Sequence, residues 1–123
     1  MRVLIVDDSN AMLKVIRVLL AQIGFEEVDE ASDGAMALDM LRRGDYGLVI
    51  SDWSMEPVSG IELLRTVRAE GAWRDLPFIM VTAETRRENL EEARAAGVSE
   101  YVLKPFDAPA LQRTIARVLG TAG

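Results

Sequence analysis

Five short apolar runs, each followed by a longer segment of helical spacing, divide residues 2–120, and no other feature narrows the fold as much. Residues 2–6 (RVLIV), 47–51 (GLVIS), 77–81 (PFIMV) and 100–103 (EYVL) are strand-length and rich in β-branched or aromatic residues. Such side chains are stiff at χ1 and suit a pleated surface. Three of these runs are apolar at nearly every position, so both of their faces need cover. Residues 26–32 alternate only weakly and read as an edge strand. Between the runs lie predicted helices over 10–24, 34–44, 60–71, 86–97 and 108–120. In the first helix Met12, Val15, Ile16, Leu19, Leu20 and Ile23 recur at steps of three and four, with Lys14, Arg17 and Gln22 opposite. Asn10 is its predicted N-cap and Gly24 its stop. Ile61, Leu64 and Val67 form the inward face of the third helix, and the fourth is charged with a narrow apolar face. Asp107 caps the last, with Pro109 in its first turn.

Strands alternating with crossover helices imply an α/β fold: a parallel sheet with helices on both faces. All strands then point one way and their C-terminal ends share a rim, where ligands bind if strand order reverses. With 123 residues and no Pro/Ser-rich linker, a single domain over 1–123 is expected.

Composition removes whole classes of chemistry. The chain has no Cys and no His, which excludes disulfides, thiolate metal sites, and Ser-His-Asp or Cys-His nucleophiles. The net charge of −6 argues against a nucleic-acid surface. No apolar run approaches the ~20 residues of a spanning helix, and no secretory signal opens the chain, so a cytoplasmic protein without a membrane segment is expected. Carboxylates, hydroxyls and lysine are left to do the work.

Those groups collect where the strands end. Asp7 and Asp8 follow the first strand, Asp52 the third, Thr82 and Glu84 the fourth, and Lys104 the fifth. Asp33 and Asp75 fall in loops outside this set. Singly, each member has an ordinary reading: Asp8 as a helix cap, Thr82 as a strand-end hydroxyl, Lys104 as a solvated charge. Together they place three carboxylates and one ammonium at one switch point. Three such carboxylates repel, and one lysine does not neutralise them, so either a carboxyl holds a proton or a cation sits among them. An all-oxygen donor set suits Mg²⁺, Mn²⁺ or Ca²⁺. Mg²⁺ is commonly held by one or two carboxylates plus a phosphate, so a Mg²⁺ site awaiting a phosphoryl oxygen is expected, with Mn²⁺ as a substitute.

The stretches VLIVDDSN, DWSMEPVSG, VTAE and YVLKPF resemble the signatures of the receiver domain of two-component response regulators, in particular the single-domain CheY-like chemotaxis type. The resemblance covers essentially the whole chain in motif order and spacing. It implies a flavodoxin-like (βα)5 doubly wound parallel sheet of strand order 2-1-3-4-5. It also implies that Asp52 is the phosphoacceptor, that Asp8 and Asp52 ligate Mg²⁺ with Asp7 acting mainly through water, and that the Ser54 backbone carbonyl is a third protein ligand. Lys104 and Thr82 would bind phosphoryl oxygens, and the Lys104–Pro105 bond would be cis. The chain would catalyse only its own phosphorylation and dephosphorylation. With no His present, the donor would be a separate histidine kinase or phosphotransfer protein, or a small acyl phosphate. Thr82 and Tyr101 would form the switch. They would remodel a protein-binding face on helix 4, strand 5 and helix 5 that includes Arg86, Arg87, Leu90, Arg113 and Arg117. A monomer acting in chemotaxis or motility is expected.

Two positions depart from the nearest pattern. Glu56 stands between Met55 and Pro57, adding negative charge near the metal, yet the spacing from Asp52 to Gly60 is unchanged. Ser54 takes a place where chemotaxis relatives often carry Asn, and with Glu84 it is expected to set the phosphate lifetime. Alternatives are a receiver excised from a longer protein, a degenerate receiver that is not phosphorylated, and a flavodoxin-like FMN binder. The last is disfavoured by the acids in DDSNAM, which would repel a phosphate. A haloacid-dehalogenase-type phosphatase is disfavoured by the lack of DxDx[TV] and of a cap insertion.

Overall fold

A computed structural model describes residues 1–83 and 85–120. Its elements alternate throughout: β1 (Val3–Val6), α1 (Asn10–Gln22), β2 (Val28–Ala31), α2 (Gly34–Arg43), β3 (Leu48–Asp52), α3 (Gly60–Ala69), a 3-10 turn (Gly71–Trp73), β4 (Phe78–Thr82), α4 (Arg87–Ala95), β5 (Glu100–Leu103) and α5 (Ala108–Leu119). The five strands pair in parallel in the order β2-β1-β3-β4-β5. This is the doubly wound sheet expected.

The apolar runs supply two cores because successive strand residues face opposite sides. Leu4, Val6, Val49, Phe78 and Met80 face one way and pack on Ala37 and Leu41 of α2, on Ile61, Leu63, Leu64 and Val67 of α3, and on Ala93 of α4. Val3, Ile5, Leu48, Ile50, Ile79, Val81 and Val102 face the other way, onto Leu13, Ile16 and Leu20 of α1 and Leu111 and Ile115 of α5. Each large side chain fully buried this way contributes about 1.5–3 kcal/mol of transfer free energy. The helices differ in how firmly this holds them: α3 buries five residues, whereas α4 buries Ala93 alone.

Several local expectations are corrected. The buried stripe of α1 is Leu13, Ile16 and Leu20, and Val15 is 49 % exposed. The expected stripe was broad enough to include Val15, which lies off the 13-16-20 line. The N-cap is Ser9, whose hydroxyl accepts from Met12 N–H at 3.2 Å, while Asn10 is already helical. α1 ends at Gln22, and Gly24 takes the left-handed conformation two residues later. β2 and α4 are shorter than expected, spanning Val28–Ala31 and Arg87–Ala95. Asp33, expected only to lie in a loop outside the rim, caps α2, accepting from Met36 N–H at 2.7 Å. Among the described residues no helix is long and apolar enough to cross a membrane.

Candidate functional site

Sheet register assembles the rim. Val6 pairs with Ser51, so the next residues, Asp7 and Asp52, emerge side by side from β1 and β3. Asp52 pairs with Val81, which puts Thr82 one residue beyond it, and Thr82 pairs with Leu103, immediately before Lys104. Backbone bonds extend each step: Trp53 N–H donates to Val81 O at 3.0 Å, and Lys104 N–H to Thr82 O at 2.8 Å. One oxygen from each of Asp7, Asp8 and Asp52 lies within 4.8 Å of the others. Lys104 Nζ donates to Asp52 Oδ1 at 2.9 Å.

The burial is unequal, and that decides the electrostatics. Asp7 is 1 % exposed and Asp52 6 %, whereas Asp8 is open to solvent. Burial pushes the Asp7 carboxyl above its ordinary range. A hydrogen bond from Ser9 N–H to Oδ1 (2.8 Å) opposes this, Asp52 adds to it, Lys104 opposes it, and Asp8 adds the least. Asp7 Oδ2 is buried without a hydrogen-bond partner among the described residues. A buried, orphaned carboxylate oxygen beside two further carboxylates fits a hard divalent cation, which would restore the missing contact.

The loop after β3 is shaped to hold Asp52 in place. Ser51 Oγ donates to Asp52 O at 3.0 Å, Gly60 N–H donates to Trp53 O at 2.9 Å, and buried Met55 anchors the loop to the core. A Cβ on Gly60 would collide with the Asp52 carbonyl oxygen, Met80 Sδ and Trp53 Cα. Ser54 and Glu56 are exposed in this loop. Both Glu56–Pro57 and Lys104–Pro105 are cis, of which only the second was expected.

Thr82 is 3 % exposed at the end of β4. Tyr101, on β5 opposite Met80, is half-buried against the α3 side of the sheet, with the Arg94 guanidinium 5.9 Å from its ring centre. Glu84 lies outside the described residues. The sequence reading brought Asp7, Asp8, Asp52, Thr82 and Lys104 to one rim, and the structure places them there. It missed the roles of Ser9, Gly60, Met55 and Arg94. The pattern Asp-x-Ser before a helix signals the first, and a Gly eight residues past a strand-end Asp hints at the second.

The model of the family described as "Response regulator receiver domain" matches residues 3–116. Chemotaxis protein CheY of Pseudomonas aeruginosa is 45 % identical over 118 residues, covering 96 % of this chain and 95 % of that protein. Chemotaxis protein CheY-3 of Vibrio cholerae is 42 % identical over the same length, covering 96 % and 91 %. Among solved structures, chemotaxis protein CheY4 of Vibrio cholerae superposes with a TM-score of 0.89 at 33 % identity, covering 95 % of this chain and 97 % of that one. The receiver domain of the sensor histidine kinase PA1611 from Pseudomonas aeruginosa, solved with a magnesium ion coordinated in its active-site cleft, superposes at 0.87 with 29 % identity over 98 % of each chain. CheY-type receivers are phosphorylation-dependent switches of two-component signalling rather than classical enzymes, and they interact with histidine kinases and downstream protein targets. With its four motifs on one rim and its sheet in the 2-1-3-4-5 order, this chain belongs to the response regulator receiver domain family and is CheY-like.

Proposed function

We propose that residues 1–123 form one receiver unit that accepts a phosphoryl group on Asp52 and passes the signal to a protein target in chemotaxis or motility. The observation that carries this reading is the ammonium–carboxylate contact from Lys104 Nζ to Asp52 Oδ1, beside two further carboxylates. One Asp52 oxygen attacks phosphorus, the bond from phosphorus to the donor's imidazole nitrogen breaks, and an acyl phosphate forms. Lys104 is free to exchange its Asp52 contact for a phosphoryl oxygen, offsetting negative charge where it accumulates. Thr82, buried one residue beyond the level of Asp52, supplies a hydroxyl to another oxygen.

Asp7, Asp8, Asp52 and the Ser54 carbonyl are the groups that would hold Mg²⁺, with Mn²⁺ as a substitute. When bound, the ion supplies positive charge to the phosphoryl oxygens. Ser54 and Glu84 would tune hydrolysis, in which the chain acts only on its own phosphoryl group. The donor is a histidine kinase or phosphotransfer protein. Movement of Thr82 toward the phosphoryl group and rotation of Tyr101 would remodel the α4–β5–α5 face for its target. The protein is read as a cytoplasmic monomer.

Trp53 provides the test, because it follows the acceptor directly. In a Trp73→Phe background its emission is expected to change with Mg²⁺ and again on adding a small acyl phosphate, and only the first change is expected in Asp52→Ala. A flat response to both additions overturns the reading.

A further inference from the structure

Helix α4 has an unusual attachment for part of a switch face. It buries Ala93 alone, so packing holds it weakly. The residues on either side of Ala93 in sequence both reach other elements. Glu92 Oε2 accepts from Arg65 Nη2 of α3 at 2.7 Å, and the Arg94 guanidinium stands 5.9 Å from the Tyr101 ring centre on β5. Both contacts are between partly exposed side chains, so each is modest alone. On a helix with one buried residue they are a large share of what fixes its position.

The Arg94 contact also depends on the state of Tyr101. The cation stands over the face of the ring in this arrangement, and a change of χ1 moves a ring to a different staggered well, away from a fixed cation. A contact made in one arrangement and lost in the other shifts the equilibrium toward the first. We propose that Arg65–Glu92 and Arg94–Tyr101 form a two-sided latch that holds α4 and Tyr101 in the unphosphorylated arrangement, making Arg65, Glu92 and Arg94 positioning residues for the switch. The proposal rests on the reading of Tyr101 as a switch residue. The latch opposes activation, so weakening it raises the population competent for phosphorylation.

The test measures the rate of phosphorylation by a small acyl phosphate in Mg²⁺, together with hydrogen exchange of the α4 backbone amides in the unmodified protein. Arg65→Ala, Glu92→Ala and Arg94→Ala are each expected to raise the rate roughly two- to fivefold and to speed α4 exchange. The charge-reversed pair Arg65→Glu/Glu92→Arg is expected to return both to wild-type values, which a merely structural loss would not do. Wild-type rates and wild-type exchange in all three single variants, or no rescue by the reversed pair, overturn the latch. If the wild-type protein takes up no phosphoryl group, the phosphoacceptor reading fails instead, and the exchange arm still decides whether the latch holds α4.

Discussion

Lys104 Nζ lies 2.9 Å from Asp52 Oδ1, joining the end of β5 to the end of β3 across β4. The lysine side chain is 31 % exposed and the aspartate 8 %, so the ammonium covers the acceptor from the solvent side. Lys104→Ala is expected to slow phosphorylation of Asp52 by about 100-fold, the scale of losing one preorganised charge donor, while the circular dichroism spectrum is unchanged. Lys104→Arg restores little, because a planar fork does not replace a point charge on a flexible stem. Near-wild-type rates in Lys104→Ala would show that the contact has no part in the chemistry.

Asp7 is held at a cost. Its pKa in the folded protein is raised, mainly by burial. The folded state therefore keeps this proton to higher pH than the unfolded chain does. The stability associated with protonated Asp7 is present below the unfolded pKa and lost as pH rises through the raised folded value. Above the unfolded pKa that contribution shrinks, so at neutral pH the burial of Asp7 costs the metal-free protein stability. Asp7→Asn is expected to raise the melting temperature in EDTA at neutral pH and to reduce the further rise caused by Mg²⁺. Thermal melts with and without Mg²⁺ check both halves, and a lower melting temperature in EDTA would contradict the first.

Gly60 is fixed by close approach. An added Cβ meets the Asp52 carbonyl oxygen, backbone that does not rotate away. Gly60→Ala is expected to destabilise the protein by about 1–3 kcal/mol in urea unfolding, and to weaken Mg²⁺ binding because the backbone of the acceptor has to shift. An unchanged unfolding midpoint would show that the loop absorbs the methyl group.

Glu56 is exposed, so its charge acts on the metal site through solvent. Glu56→Ala is expected to weaken Mg²⁺ affinity no more than about fivefold, with the difference fading at high salt. Equal affinities at low salt would remove Glu56 from the account.

Architecture and rim were legible because both follow from strong, local signals. Runs such as VLIV and FIMV state that a strand is buried on both faces, and the residue after each run is then delivered to the rim. The strand order came with the family resemblance, since periodicity does not specify which strands are neighbours. Details that depend on shape were not legible. Val15 and Leu13 are both apolar, and only the packed sheet decides which is buried. Ser9 and Asn10 are both good caps, and the hydrogen bond to Met12 selects Ser9. Gly60 looks like a turn glycine until the Asp52 carbonyl is found against it. The Arg65–Glu92 contact joins residues 27 apart in sequence, and the Arg94–Tyr101 contact joins a helix to the next strand, and no spacing rule links either pair.

The central claim is that Asp52 is chemically modified, and intact-protein mass reads this directly. After incubation with Mg²⁺ and a small acyl phosphate, the wild-type protein is expected to gain the mass of one phosphoryl group, EDTA to prevent the gain, and Asp52→Ala to show none. A gain of the same size in Asp52→Ala would contradict the account.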